Sequence, residues 1–235
     1  MLEPALYLIP VTLSDGTHER VLPSFNVQVI REIRHFVVEN VRTARRFLKA
    51  CDRAIDIDKL TFSELNGHTR PEDVEAMLAP LADGEAVGLM SEAGCPAVAD
   101  PGADLVSLAQ RRGYVVRPLV GPSSILLGLM ASGFNGQRFA FEGYLPIEAG
   151  ARSRRLKEMV RRIEHEDQTQ IFIETPYRND RLAEELCRVL PPSLRLCVAT
   201  DLTGAGERAV TRTIAQWRER PPQSGKVPTI YLLYK

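Results

Sequence analysis

Short runs rich in β-branched and aromatic residues recur along this chain between amphipathic stretches, and that alternation restricts it to an α/β fold. The runs lie at 5–11, 35–38, 86–90, 114–119, 138–144, 170–174, 194–200 and 229–234. Between them apolar residues repeat at helical spacing over 41–50, 71–81, 103–112, 123–131, 152–164 and 179–190. Pro71 stands where a helix would begin, a position at which its missing N–H costs nothing. Stretch 123–131 is apolar on every side, which predicts a buried helix. The Pro- and Gly-bearing break Leu145-Pro146-Ile147-Glu148-Ala149-Gly150 follows a strand and precedes a strongly charged helix. It predicts two α/β domains, 1–146 and 147–235, each with its own sheet and with a ligand cleft between them.

Composition narrows the function classes. Hydrophobic residues make up 44% and charged residues 26% of 235, the ordinary globular range, which excludes collagenous, coiled-coil and disordered chains. Lys+Arg and Asp+Glu are equal at 30 each, so the chain lacks the basic excess of a typical nucleic-acid binder and any contact with RNA must be local. Two local runs qualify. One is Arg152, Arg154, Arg155, Lys157, Arg161 and Arg162 against Glu158; the other is Arg42, Arg45, Arg46, Lys49 and Arg53 against Asp52. Met1-Leu2-Glu3-Pro4 has no basic leader character, and no stretch approaches the roughly 18 apolar residues of a membrane span. A cytoplasmic protein without a membrane partner is expected. Cys51, Cys95, Cys187 and Cys197 show no C-x-x-C spacing and no clustered His, so neither a metal site nor a disulfide framework is expected.

Two strand-to-helix loops carry the candidate chemistry. After the run 86–90 come Ser91-Glu92-Ala93-Gly94-Cys95-Pro96 and Asp100-Pro101-Gly102; after the run 114–119 come Val120-Gly121-Pro122-Ser123-Ser124. Small residues at the carboxyl ends of strands let backbone N–H and C=O groups approach a ligand. Glu92 or Asp100 could pair with a cation or with ribose hydroxyls. Asp100 and Ser123 or Ser124 are also suited to capping the helices that follow. Gly204-Ala205-Gly206-Glu207-Arg208-Ala209 has the spacing of a dinucleotide-binding turn, yet an alternating β-branched run follows it, so a hairpin turn is expected.

Taken in order, Gly88 to Gly102, Pro118 to Ser124, Ser132-Gly133-Phe134 and Phe139 to Pro146 resemble the tetrapyrrole methylase superfamily, and within it the small-subunit ribosomal RNA methyltransferases. The first of that family's motifs reads roughly S-D-A-G-x-P-x-x-x-D-P-G, with Glu92 here in place of the Asp. Phe172-Ile173-Glu174-Thr175-Pro176-Tyr177-Arg178 resembles its aromatic-x-E-S-P-H-R. The resemblance implies a tetrapyrrole methylase-like pair of α/β domains, S-adenosylmethionine as methyl donor in their cleft, and a homodimer. It also implies the ribose 2′-hydroxyl of a cytidine in small-subunit ribosomal RNA as acceptor. By position, Ser91, Glu92, Ala93, Gly94, Ser123 and Ser124 would contact the methyl donor and Asp100 would support the loop. Pro10, Pro228 and Thr229 match positions near it. The family's A-E-D-T-R-x-T stands here as Val38-Glu39-Asn40-Val41-Arg42-Thr43-Ala44, which keeps Glu39 and Arg42.

Transfer from a sulfonium is an in-line displacement, and much of its rate comes from holding the partners at near-attack distance. A 2′-hydroxyl is weakly acidic, so a positioned base or a cation beside the developing alkoxide helps. Glu39 is therefore assigned the base or orienting role and Arg42 a phosphate or oxyanion contact; the structural alternative is a strand-end Glu paired with a helix Arg. Three activities fit these motifs: methylation of ribosomal RNA, C-methylation of a tetrapyrrole or other small acceptor, and binding of the methyl donor or RNA without turnover.

Overall fold

The computed structural model describes residues 2–235 as two compact units, the first ending at Ser123 and the second spanning Ser124–Lys235. In the first, β1 (Leu6–Leu8) leads through α1 (His18–Val21) and α2 (Ser24–Glu32) to β2 (His35–Val38), then α3 (Val41–Cys51) and β3 (Thr61–Glu64). The short helices α4 (Pro71–Ala76) and α5 (Ala79–Ala82) precede β4 (Val87–Met90), and α6 (Gly102–Arg111) precedes β5 (Val116–Pro118). The five strands are parallel in the order β3-β2-β4-β1-β5.

The twofold alternation of side chains along a strand sends apolar residues to both faces of this sheet. Tyr7, Ile9, Phe36, Val38 and Met90 pack with Val29 and Ile30 of α2 and Ala44, Phe47 and Leu48 of α3. Leu6, Val37, Val87 and Leu89 pack with Val74, Leu81, Leu105 and Ala109 from α4 to α6. Gly88 faces the first layer because an added Cβ would stand 2.8 Å from Ile9 and 3.0 Å from Phe36. The chain thus leaves β1 into one helical layer and leaves β4 into the other, although β1 and β4 are neighbours. Such a reversal opens a crevice at the carboxyl ends of the two strands.

The second unit comprises α7 (Ser124–Ser132), β6 (Phe139–Tyr144), α8 (Ala149–Glu166), β7 (Thr169–Ile173), α9 (Asn179–Val189), β8 (Arg195–Thr200), β9 (Arg208–Thr213), α10 (Ile214–Glu219) and β10 (Thr229–Tyr234). Its mixed sheet has the order β6-β7-β10-β8-β9, with only β6 and β7 parallel. Leu156, Met159, Leu182, Leu186 and Trp217 from α8, α9 and α10 build the core over one face with Phe172, Val198 and Tyr231. On the other face lies α7, where a Cβ on Gly128 would stand 3.0 Å from Ile230.

Several sequence expectations change. The units divide at Ser123/Ser124 and not at 146/147, because β6 pairs with β7 of the second sheet. The Pro/Gly break is a helix cap: Glu148 accepts from the backbone N–H of Gly150 at 2.7 Å and of Ala151 at 2.5 Å, so α8 starts at Ala149. Pro80 splits the stretch 71–81 into α4 and α5, since its ring displaces the carbonyl one turn back and offers no N–H. The apolar α7 buries Gly128 and Leu129 but leaves Leu126 52% and Met130 79% exposed. Residues 201–207 do form a hairpin connection between β8 and β9, with Arg208 and Ala209 already in β9, as Thr200 pairs with Arg208 in antiparallel register.

Candidate functional site

Three loops meet at the carboxyl edge of the first sheet. Val11 and Gly94 exchange both backbone hydrogen bonds, 2.9 Å and 3.0 Å, and so fasten the loop after β1 to the loop after β4. The loop after β5 is seated by contact: a Cβ on Gly121 would lie 2.2 Å from Pro10, so only glycine permits this approach. Buried Asn26 of α2 donates to the carbonyl of Val120 at 2.9 Å and holds that loop from below. Gly94 itself turns with φ +74°, its added Cβ meeting Leu13 at 3.3 Å.

Asp100 organises the rest of the β4 loop. Its Oδ1 accepts from the N–H groups of Ala97 at 3.0 Å and Gly102 at 2.7 Å, spanning a segment in which Ala97 and Ala99 both have φ +65°. Its Oδ2 is buried and unpaired among the described residues. The tips of the loops after β4 and β5, 91–94 with Asp100 and 120–123, offer hydroxyls, carboxylates and backbone groups but no Lys, Arg or His. A site of this composition favours a ligand that carries positive charge and hydroxyl donors.

Glu39, at the end of β2, accepts from the backbone N–H of Glu92 at 2.9 Å. The alternative pairing with Arg42 does not form; the Arg42 side chain is exposed and makes no hydrogen bond or ion pair among the described residues. Partial burial pushes the Glu39 carboxyl above the ordinary range, against the opposing pull of the Glu92 N–H, and the charges of Asp100 and Glu92 add to the rise. Thr43, one turn into α3, donates from its hydroxyl to the Glu92 carboxylate. Asn40 caps α3 by accepting from the N–H groups of Arg42 at 2.9 Å and Thr43 at 3.3 Å. The loop after β1, α3 and residues 90–93 enclose a cavity of 340 Å³ with Phe47 and Met90 among its apolar lining and His18, Thr43 and Arg46 among its polar lining.

The structure therefore brings Pro10, Ser91, Glu92, Ala93, Gly94, Asp100, Ser123 and Glu39 to one edge of one sheet, with Ser124 next in the chain as the first residue of α7. Pro228 and Thr229 lie in the second unit. The Pro228 carbonyl accepts from the Asp201 N–H at 3.0 Å, and the Thr229 hydroxyl accepts from buried Asn179 at 3.1 Å. Sequence reasoning named Arg46 only as a member of a basic run and Thr43 only within the 38–44 motif, gave neither a place at the site, and passed over Asn26. The available signals were the recurrence of Thr43, Arg46, Phe47 and Ala50 on one side of a helix and a lone Asn among the apolar residues of α2.

Comparison with known proteins bears on this arrangement. The family profile described as Tetrapyrrole (Corrin/Porphyrin) Methylases matches residues 26–217. A protein named ribosomal RNA small subunit methyltransferase I from Vibrio cholerae is 30% identical over 203 residues, covering 85% of this chain and 65% of that protein. Its namesake from Haemophilus influenzae is 34% identical over 161 residues, covering 68% and 56%. The chain thus spans less than two thirds of the length of these curated relatives. Among solved structures, uroporphyrin-III C-methyl transferase from Thermus thermophilus complexed with S-adenosyl homocysteine superposes with a TM-score of 0.57 at 18% identity, covering 98% of this chain and 97% of that one.

Proposed function

We propose that this chain, which belongs to the tetrapyrrole (corrin/porphyrin) methylase family, transfers a methyl group from S-adenosylmethionine to a ribose 2′-hydroxyl of small-subunit ribosomal RNA. The observation that carries the proposal is the 2.9 Å bond from the Glu92 N–H to Glu39, which joins the loop assigned to the methyl donor to the residue assigned to the acceptor. The loop tips fit that donor because they are rich in acceptors and free of cationic side chains, matching a ligand with a sulfonium, an ammonium group and ribose hydroxyls. Backbone N–H groups of the same loops would meet its carboxylate. When bound, S-adenosylmethionine supplies an electrophilic methyl group.

The chain's own part is positioning and proton handling. Gly94, Gly121 and Pro10 hold the three loops close enough for backbone contacts, and Asp100 stiffens the longest of them. Glu39 orients the acceptor hydroxyl and takes its proton as the methyl group arrives. Its raised pKa makes it a stronger base than an exposed glutamate. The RNA assignment rests on the names borne by the relatives from Vibrio cholerae and Haemophilus influenzae. A homodimer belongs to the same reading, supported by the exposed apolar residues Leu126 and Met130 of α7. A cytoplasmic location fits as well; no helix among the described residues is long and apolar enough to cross a membrane.

Calorimetric titration of the full chain with S-adenosylmethionine and S-adenosylhomocysteine tests the core of the proposal. Both should bind, and purified small ribosomal subunits should then accept labelled methyl groups resistant to alkaline cleavage at one ribose. Failure of both ligands to bind would refute the activity, and binding without transfer to the subunit would refute the acceptor.

A further inference from the structure

We propose that the outward face of α3 is a track for the phosphates of single-stranded RNA, leading the strand to the 340 Å³ cavity at the Glu92 end of the site. This rests on the RNA-methyltransferase reading and adds to it the surface and the residues that hold the substrate. Arg42, Arg45, Arg46 and Lys49 are exposed on a helix without a single acidic residue. At 3.6 residues per turn the four fall within about 100° of one another, and Arg42 to Lys49 covers about 10 Å of axis. That length follows roughly three phosphates at the axial spacing of a nucleic-acid strand.

These cations are available. The guanidinium groups of Arg42 and Arg46 make no hydrogen bond or ion pair among the described residues. Arg45 lies over the Phe62 ring at 5.3 Å, which fixes its direction and leaves its charge uncancelled. Lys49 donates to the Arg53 carbonyl at 3.0 Å. The acids around the helix are engaged: Asp52 by Arg31 at 2.6 Å, Asp56 by Lys59 at 3.2 Å, Glu64 by the Val41 N–H and Glu92 by Thr43. Arg46 belongs to both features, since it stands on the stripe and lines the cavity.

The cavity decides the class of partner. Its volume lies at the lower end of small-ligand pockets, suited to a single nucleoside, and Phe47 and Met90 supply apolar surface for a base beside the polar His18 and Thr43. An acidic peptide would need the stripe but not the cavity. A lipid surface would call for apolar residues on the exposed side of α3, where beyond the cations only Ala50 and the Asn40 cap are exposed.

The other basic run, on α8, serves the fold. Arg155 and Arg162 both clamp Glu142, whose side chain is 3% exposed, and Arg152 holds Glu185 at 2.7 Å. Only Arg154, Lys157 and Arg161 remain outward, with Glu158 and Glu164 beside them. That helix is the internal control.

The test is fluorescence anisotropy of a fluorescein-labelled single-stranded oligoribonucleotide against the full chain over a range of salt. Arg46→Ala/Lys49→Ala is compared with Arg154→Ala/Lys157→Ala/Arg161→Ala, each checked for an unchanged thermal melt. The α3 variant should bind at least about tenfold more weakly at low salt, with a slope of log K on log salt shallower by about 1.4, or about 0.7 per lost phosphate contact. The α8 variant should stay within about twofold of the parent at every salt concentration, because its cations contact no phosphate. Equal binding by the parent and the α3 variant, loss confined to the α8 variant, or no binding by the parent would each overturn the track. Calorimetry with S-adenosylhomocysteine on the same proteins separates the two proposals. Intact ligand binding with unaffected RNA binding removes the track alone, and absent ligand binding in the parent removes the methyltransferase reading.

Discussion

Glu39 concentrates the chemistry at the residue scale, and two opposite pH dependences follow from its environment. Burial raises its pKa, so its basic form is lost at a higher pH than that of an exposed glutamate, and methyl transfer should decline as pH falls through that raised value. Stability runs the other way. A raised folded-state pKa favours the protonated form, so Glu39's contribution is present at low pH and fades as pH rises through the folded value. Glu39→Gln keeps an acceptor for the Glu92 N–H and removes the ionisation. Turnover should fall at least about 100-fold, S-adenosylhomocysteine affinity should stay near that of the parent, and the acid limb of the residual rate profile should flatten. Turnover at the parental rate would remove Glu39 from the mechanism. The residue was legible in the sequence through its motif, while its partner was not: Glu92 is 53 positions away, and only strand order brings them together.

At the scale of elements, α3 joins the site to the core. Ala44, Phe47 and Leu48 anchor it in the sheet, its first turn carries Thr43 to Glu92, and its outer face carries the cations. The Asn40 cap sets where that first turn begins. Asn40→Ala should cost about 1 kcal/mol, lowering the melting temperature by about 2–4 °C for a chain of this size; an unchanged melt would show that the two capping bonds contribute nothing net. Boundaries were legible where turn chemistry is local. The start of α3 at 41 and the hairpin turn read from the glycines at 204 and 206 are examples. Helix α7 departs from the expected full burial because an all-apolar pattern says that a surface needs covering without saying what covers it, and its Gly128 and Leu129 side is the one that packs on the second sheet.

For the whole molecule, the balanced charge of 30 against 30 resolves into unequal faces. Internal clamps absorb half of the α8 run, whereas α3 keeps its charge outward. The exposed apolar residues of α7 are the surface on which the proposed homodimer rests. Light scattering should give the mass of a dimer for the parent, and Leu126→Glu/Met130→Glu should shift it toward the monomer. A dimer in the double variant would place the contact elsewhere, and a monomeric parent would end the homodimer proposal. The position of the unit boundary is also a property at this scale. A strand's membership in a sheet depends on its hydrogen-bonded neighbour, so the assignment of β6 to the second unit through β7 was beyond reach of the composition of the 145–150 segment.

By itself the sequence determined the alternation of strands and helices, the two small-residue loops after β4 and β5, and the family. These properties depend on periodicity, turn propensity and contiguous motifs, all of which act over a few residues. Tertiary structure alone decided that Val11 and Gly94 bridge, that Gly121 rests on Pro10, that Glu39 bonds to Glu92 instead of Arg42, and which cations face solvent. Each of these is a contact between segments brought together by sheet order, and no local propensity encodes the neighbour that a strand or helix will find.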